Sequence, residues 1–343
     1  MPFKDVIGHR RLIRLLARSV REDLLPPSLI FAGPSGVGKR RTAIATAQAL
    51  NCESPVVGRA GGSTEIEFDA CGKCTACSRI ARGLHPEVLV IEPGDSGSIK
   101  TEQVRDVIER AGYRPFEGKR RVVIIDDADA LVLTAQNALL KTLEEPPSSS
   151  VFILVSARSD VLLPTVISRC PRLRFRPLGT SDVASALIER GHGEQEARAS
   201  ARSSDGSLGR ALDMDADEIL EARAVARQVL AFAGATRDPG RRIDGAKTLL
   251  TNIGGGPAAA DRERLSSYLR AMATLLRDTE LIATGGDVRT LANADLRPAL
   301  EELGQVYRGE RGTRAFSAID QALVAIERNA GVKIVADWLV LQL

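Results

Sequence analysis

The sequence predicts an α/β domain built on a five-stranded parallel sheet, followed by a region that is helical throughout. Three observations carry that expectation. Short apolar runs alternate with helical spacing as far as Pro177, no such run recurs beyond it, and a glycine-rich turn joins the first run to the first helical stretch. The strands are read at SLIFAG (28–33), EVLVIEP (87–93), RVVIIDD (121–127), VFILVSA (151–157) and RLRFRP (172–177). Between them, RRTAIATAQAL, TEQVRDVIERAG, TAQNALLKTLEE and LLPTVISRC carry helical spacing, and Thr134 is expected to cap the third of these. After Pro177 a small helical piece runs from GTSDVASALIERG through GSLGRALDM. A larger one fills residues 216–343, with breaks at DPG (238–240), IGGGP (253–257) and TGGD (284–287).

A chain of 343 residues is long enough for two or three domains. With 44% hydrophobic and 27% charged residues it is neither a disordered nor a membrane composition, and no apolar run approaches the ~18 residues that span a bilayer. The N-terminal stretch scatters charge where a signal peptide needs a continuous apolar segment, so a cytoplasmic protein is expected. A net charge of +3 leaves nucleic-acid binding open, while 3% aromatics argue against a grip through base stacking.

GPSGVGKRRTA (33–43) follows the phosphate-loop spacing G-x-x-x-x-G-K-[ST] until its last position. Gly33, Gly36 and Gly38 allow the tight path that aims backbone N–H groups at phosphate, and Lys39 would reach the outer phosphates. Arg40 stands where a hydroxyl should meet Mg²⁺, and it offers no lone pair. Asp126 and Asp127 end the third strand where a metal-associated acid and a water-activating base belong, but Asp127 is one methylene shorter than the usual glutamate. Two defects in one site point the same way: ATP can still be held there, but Mg²⁺ is disfavoured and hydrolysis is expected to be poor. A glycine-rich turn without a ligand and an acidic strand end facing solvent are the plain alternatives.

Cys52, Cys71, Cys74 and Cys77 are four of the five cysteines, and two C-x-x-C steps place three of them around one knuckle. A closed Cys₄ zinc site of structural role is expected, with disulfides or a redox pair as the alternatives. Arg169, within TVISRC, reads either as a solvated helix-end charge or as an arginine finger offered to a neighbour's nucleotide. Its surroundings in the sequence do not decide between them. His9, His85 and His192 are isolated and attract no catalytic role, and Trp338 reads as core or interface packing.

FKDVIGH, GPSGVGK, CGKCTACSRI, HPEVLVIEP, VVIIDDADAL, NALLKTLEEPP, ISRC and GSLGRAL, in this order and at these spacings, resemble the delta-prime subunits of the AAA+ clamp-loader family of bacterial DNA polymerase III. The likeness is dense from residue 3 to about 213 and thin beyond. It implies a RecA-like AAA+ module over 1–177 with the zinc module at 52–77, a helical lid over 178–215, and a helical collar over 216–343 that holds a five-membered ring. It also implies that Arg169 acts in trans on ATP held by the adjacent motor subunit, that Ser156 is a sensor, and that Arg210 is a second sensor in the lid. The implied partners are the gamma/tau and delta subunits, with the sliding clamp and primer-template DNA reached through the complex, in the nucleoid-associated replisome and away from membranes. As part of the polymerase holoenzyme, the chain itself would have weak ATPase activity or none. A hydrolysing motor of gamma/tau type is the runner-up, although the family's motor carries an intact G-K-T and this chain leaves no room for a tau-like tail. A stand-alone zinc protein binding nucleic acid directly is the third reading.

Overall fold

The computed structural model describes residues 1–343 except 59–66, 95, 214–215, 237, 251–252, 255–256, 288–290 and 329. The chain runs α1 (Arg10–Arg21), β1 (Ser28–Ala32), α2 (Lys39–Asn51), β2 (Val56–Val57), β3 (Phe68–Asp69), α3 (Thr75–Ala81), β4 (Val88–Ile91), α4 (Thr101–Ala111) and β5 (Arg121–Ile125). It continues through α5 (Leu133–Glu144), β6 (Ser150–Ser156), α6 (Pro164–Ile167), β7 (Arg172–Arg174), α7 (Thr180–Ile188), α8 (Glu194–Ser203) and α9 (Leu208–Asp213). The remainder is helical: α10 (Ala216–Ala235), α11 (Pro239–Leu249), α12 (Ala258–Ala283), α13 (Arg297–Val306), α14 (Glu310–Glu327) and α15 (Val332–Gln342).

All five expected strands join one parallel sheet in the order β4-β5-β6-β1-β7, and β2 pairs antiparallel with β3 beside it. β1, β5 and β6 lie inside the sheet, buried on both faces, which is why they read as continuous apolar runs rather than alternating ones. Successive residues still divide between the faces. Ile30, Val123, Ile125, Phe152 and Leu154 pack with Val104 and Val107 of α4 and Leu139 and Leu143 of α5. Leu29, Phe31, Val122, Ile124, Val151 and Ile153 pack on the other face with Leu16 of α1 and Ala43 and Ala47 of α2. The crossover from β1 leaves the sheet where its order reverses, so the glycine-rich loop opens at the carboxyl ends of the strands.

Two local expectations are corrected. The carbonyl of Val132 accepts from the N–H groups of Ala135 and Gln136, so α5 begins at Leu133 and Thr134 is its second helical residue. Thr134 therefore caps nothing; its hydroxyl pairs with that of Thr101 at 2.7 Å. Residues 162–170 give only the single turn of α6, with Pro164 at its first position. Three elements were not anticipated: the amphipathic α1, the β2–β3 pair, and α3.

The chain divides into two compact units, Met1–Ala197 with Ser204–Leu212, and Arg198–Ser203 with Asp213–Leu343. The boundary expected between 215 and 216 falls beside residues 214–215, which lie outside the described ones. Within the second unit, Leu265, Leu269, Met272 and Leu275 of α12 pack against Leu230 of α10, Leu303 of α13, Ile319 of α14 and Leu339 of α15. Two buried tyrosines find partners there: Tyr268 donates to Glu221 at 2.6 Å and Tyr307 to the Leu230 carbonyl at 3.0 Å. Trp338 is more than a third exposed, so it lies at the surface of this unit and not in its core. No helix among the described residues is long and apolar enough to cross a membrane.

Candidate functional site

The loop between β1 and α2 turns on three glycines with positive φ: Gly33 at 153°, Gly36 at 73° and Gly38 at 99°. At Gly33 the constraint is doubled, since a Cβ there would lie 2.1 Å from the backbone oxygen of Phe175. Gly33→Ala is therefore expected to cost at least about 2 kcal/mol of stability, read as a fall of several degrees in the melting midpoint of the full chain. Gly36 is pinned from the other side: its carbonyl accepts from the N–H of Gly209 at 3.0 Å, and a Cβ on it would meet Ser207 Oγ at 2.1 Å. Residues Ser207 and Gly209 thus rest directly on the loop. Arg210, one residue on, is partly buried and pairs with Asp205 at 3.7 Å.

Lys39 is buried, and its ammonium donates to the carbonyls of Gly33 at 2.7 Å and Pro34 at 2.6 Å. Burial pushes its pKa down, against the opposing pull of Asp127, Asp129 and Asp126. Arg40 turns the other way. Its Nη1 lies 3.0 Å from Asp126 Oδ2, and its Nη2 pairs with Glu92, the residue after β4. The guanidinium thus bridges two carboxylates and already supplies their counter-charge. This donor set does not fit Mg²⁺, which needs oxygen ligands at about 2.1 Å and would meet a fixed cation instead.

Burial raises the pKa of Asp126 in spite of Arg40, and it raises that of Asp127, with Asp126 and Asp129 adding to the effect. Asp127 stands in the left-handed region at φ 49°. Ser156 Oγ donates to Asp129 Oδ1 at 2.9 Å, and the same oxygen accepts from the N–H of Ala157 at 3.0 Å. The fold therefore gathers Gly33, Gly36, Gly38, Lys39, Arg40, Asp126, Asp127 and Ser156 at one end of the sheet.

Glu92 and Asp129 belong to the same cluster and were not anticipated. The available signal was their position at the carboxyl ends of parallel strands, where ligand sites in such sheets form. Arg169 lies apart. It follows α6, its Nε donates to Glu144 Oε1 at 2.8 Å, its Nη2 pairs with the same carboxylate, and its Nη1 donates to the Thr165 carbonyl at 2.7 Å.

Cys52 leaves the end of α2, Cys71 and Cys74 flank the turn at Gly72, and Cys77 lies in α3. Their sulfurs all fall within 4.8 Å of one another. Four Zn–S bonds of ~2.3 Å in tetrahedral array put sulfurs about 3.8 Å apart, so a small contraction would close the set on an ion. Backbone N–H groups point at the sulfurs: Cys71 to Cys52 at 3.2 Å, Cys74 to Cys71 at 3.3 Å, and Cys77 to Cys74 at 3.4 Å. The N–H groups of Lys73 and Cys74 bring the Cys71 thiol down to about 6, whereas burial raises those of Cys52 and Cys77. The N–H groups around the knuckle suit thiolate ligands, and a bound cation would offset the cost of burying their charge.

The module is tied to its surroundings on three sides. Asp69 accepts from the N–H groups of Phe3 at 2.8 Å and Lys4 at 2.9 Å, Gln48 donates to the Cys77 carbonyl at 2.7 Å, and Lys119 donates to the Cys52 carbonyl at 2.7 Å. The fifth cysteine, Cys170, is buried in the sheet core, its thiol pushed up to about 11.

A family model described as "DNA polymerase III, delta subunit" matches residues 8–179. The chain is 32% identical over 215 residues to the DNA polymerase III subunit delta' of Bacillus subtilis, covering 62% of this chain and 61% of that one. It is 41% identical over 142 residues to the subunit delta' of Pseudomonas aeruginosa, covering 41% of this chain and 40% of the relative. Against the subunit tau of Bacillus subtilis the identity is 30% over 185 residues, 54% of this chain and 31% of that one. The matches thus span less than two thirds of each relative's length.

Proposed function

Because the chain belongs to the DNA polymerase III delta subunit family, we propose that it is a delta-prime-type subunit of a bacterial clamp loader, a largely non-hydrolysing brace that lends Arg169 to a neighbouring motor subunit. The observation that carries this reading is the Arg40 guanidinium bridging Asp126 and Glu92. A cation fixed by covalent attachment cannot leave with product or be exchanged for Mg²⁺. Without the metal there is nothing to bridge the β- and γ-phosphates and neutralise the charge that develops on them. On this reading Gly33, Gly36, Gly38 and Lys39 are retained architecture, Ser156 and Arg210 occupy sensor positions without a hydrolytic step to report, and nucleotide is an occasional occupant.

The division into a AAA+ module (1–177), a lid (178–215) and a collar (216–343) belongs to the same proposal. So does a ring shared with gamma/tau and delta subunits, which loads a sliding clamp onto primed DNA in the cytoplasm. The ion assigned to the four cysteines is Zn²⁺ in a structural role, because four thiolates leave no open coordination position.

A motor of gamma/tau type is the second reading, favoured by the match to the tau subunit. Phosphate release by the full chain alone, with ATP and Mg²⁺ present, separates the two. The brace releases none above background, whereas steady turnover that Lys39→Ala abolishes would make the chain a motor.

A further inference from the structure

Glu144 closes α5 with Glu145 beside it, so two acids stand at a helix C-terminus, where the dipole favours cations. A local choice that opposes the helix asks for another reason. For Glu144 the reason lies 25 residues on, at Arg169. Both residues are mounted rigidly. α5 is held by Ala135, Leu139 and Leu143 in the sheet core. The backbone of Arg169 is fixed by its own N–H to the Val166 carbonyl at 3.2 Å, by the buried Cys170 that follows, and by the Pro171 carbonyl, which accepts from Ile30 at 3.0 Å. Between these mounts the guanidinium gives one N–H each from Nε and Nη2 to Glu144 and one from Nη1 to Thr165. Of its five N–H bonds, the second on Nη1 has only a long 3.4 Å contact to Ser168 Oγ, and the second on Nη2 has no partner among the described residues.

From this geometry we propose that Glu144 is the positioning residue of the arginine finger: it holds the inner edge of the Arg169 guanidinium so that the outer N–H bonds are presented ready-oriented to a phosphate of the neighbouring subunit. The proposal rests on the trans-acting role given to Arg169 above. A free arginine side chain samples many rotamers, and fixing it in advance removes that ordering from the catalytic step. The carboxylate does this without touching nucleotide. A half-exposed pair of this kind adds little to folding stability, so its loss falls on function.

The test uses the ring reconstituted from the full chain with its gamma/tau and delta subunits, and reads kcat and KM of the DNA-stimulated ATPase. Glu144→Ala is expected to lower kcat by about 10- to 100-fold with KM unchanged, and to have no further effect when Arg169→Ala is already present. Glu144→Gln, whose amide oxygen still accepts from Nε and Nη2, should restore most of the rate. If Arg169→Ala lowers kcat while Glu144→Ala leaves it unchanged, the positioning role is overturned and the finger stands. If Arg169→Ala itself changes nothing, the finger reading has failed. If Glu144→Ala lowers the melting midpoint and reduces activity equally with or without Arg169, Glu144 is structural and the proposal fails.

Discussion

In the reconstituted ring, Arg169→Ala is expected to lower the DNA-stimulated ATPase rate by about 10³- to 10⁵-fold, while the chain alone melts as before. The size follows from where the charge goes. In phosphoryl transfer negative charge spreads over the oxygens of the transferred group, and a guanidinium brought to them in a water-excluded interface is worth far more than the same cation in solvent. The small structural cost follows from exposure. The Arg169 side chain keeps 29% of its surface, and its ion pair with Glu144 lies at the surface, where such pairs contribute little. Arg169→Lys should recover only a small part of the rate, because an ammonium cannot hold the Glu144 carboxylate along one edge and reach a phosphate with the other. Full activity in the Arg169→Ala ring would remove the trans-acting role from the proposed function and leave only the brace.

How far the sequence could be read depended on whether a feature is local. β1, β5 and β6 were legible because strands buried on both faces must be apolar throughout. The glycine-rich turn between β1 and α2 and the cysteine knuckle were legible because each depends on a spacing, and spacing survives in one dimension. α1 was not found: its arginines mark a lack of signal-peptide character, while its buried side, Ile13, Leu16 and Ala17, acquires meaning only against α2 and the sheet. Glu92, Asp129 and Glu144 escaped for a related reason. Each is an ordinary acid in the sequence and becomes part of a site only when a crossover connection brings it to a distant partner. Arg40 is intermediate. Its identity announced a departure from the G-K-[ST] spacing, but its bridge to a carboxylate 86 residues away is a property of the sheet order. Thr134 shows the opposite failure, a cap plausible by residue type and displaced by one position because the Val132 carbonyl already starts the helix.

Withdrawing the metal from Cys52, Cys71, Cys74 and Cys77 with a strong chelator is expected to open the 52–77 segment to protease while leaving the helical transition of Asp213–Leu343 in place. The purified chain should carry one zinc per molecule by elemental analysis, and Cys74→Ala should abolish it. The energy at stake is large. Structural zinc in small peptides binds with an apparent ~10–16 kcal/mol, which no other local interaction here approaches. Among its described residues the segment has little core of its own: β2 and β3 are two residues each, and the nonpolar cluster beside them consists of Ala70 and the cysteines themselves. The loss should also spread. Asp69, Gln48 and Lys119 clip the module to the Phe3 turn, to α2 and to the loop before β5, so its opening leaves the buried Phe3 and Gln48 without their partners. A thiol reductant without chelator separates metal from disulfide. Zinc thiolates survive it and the segment stays resistant, whereas disulfide staples would be cut. Protease sensitivity produced by reductant alone would therefore replace the metal centre with a pair of disulfides.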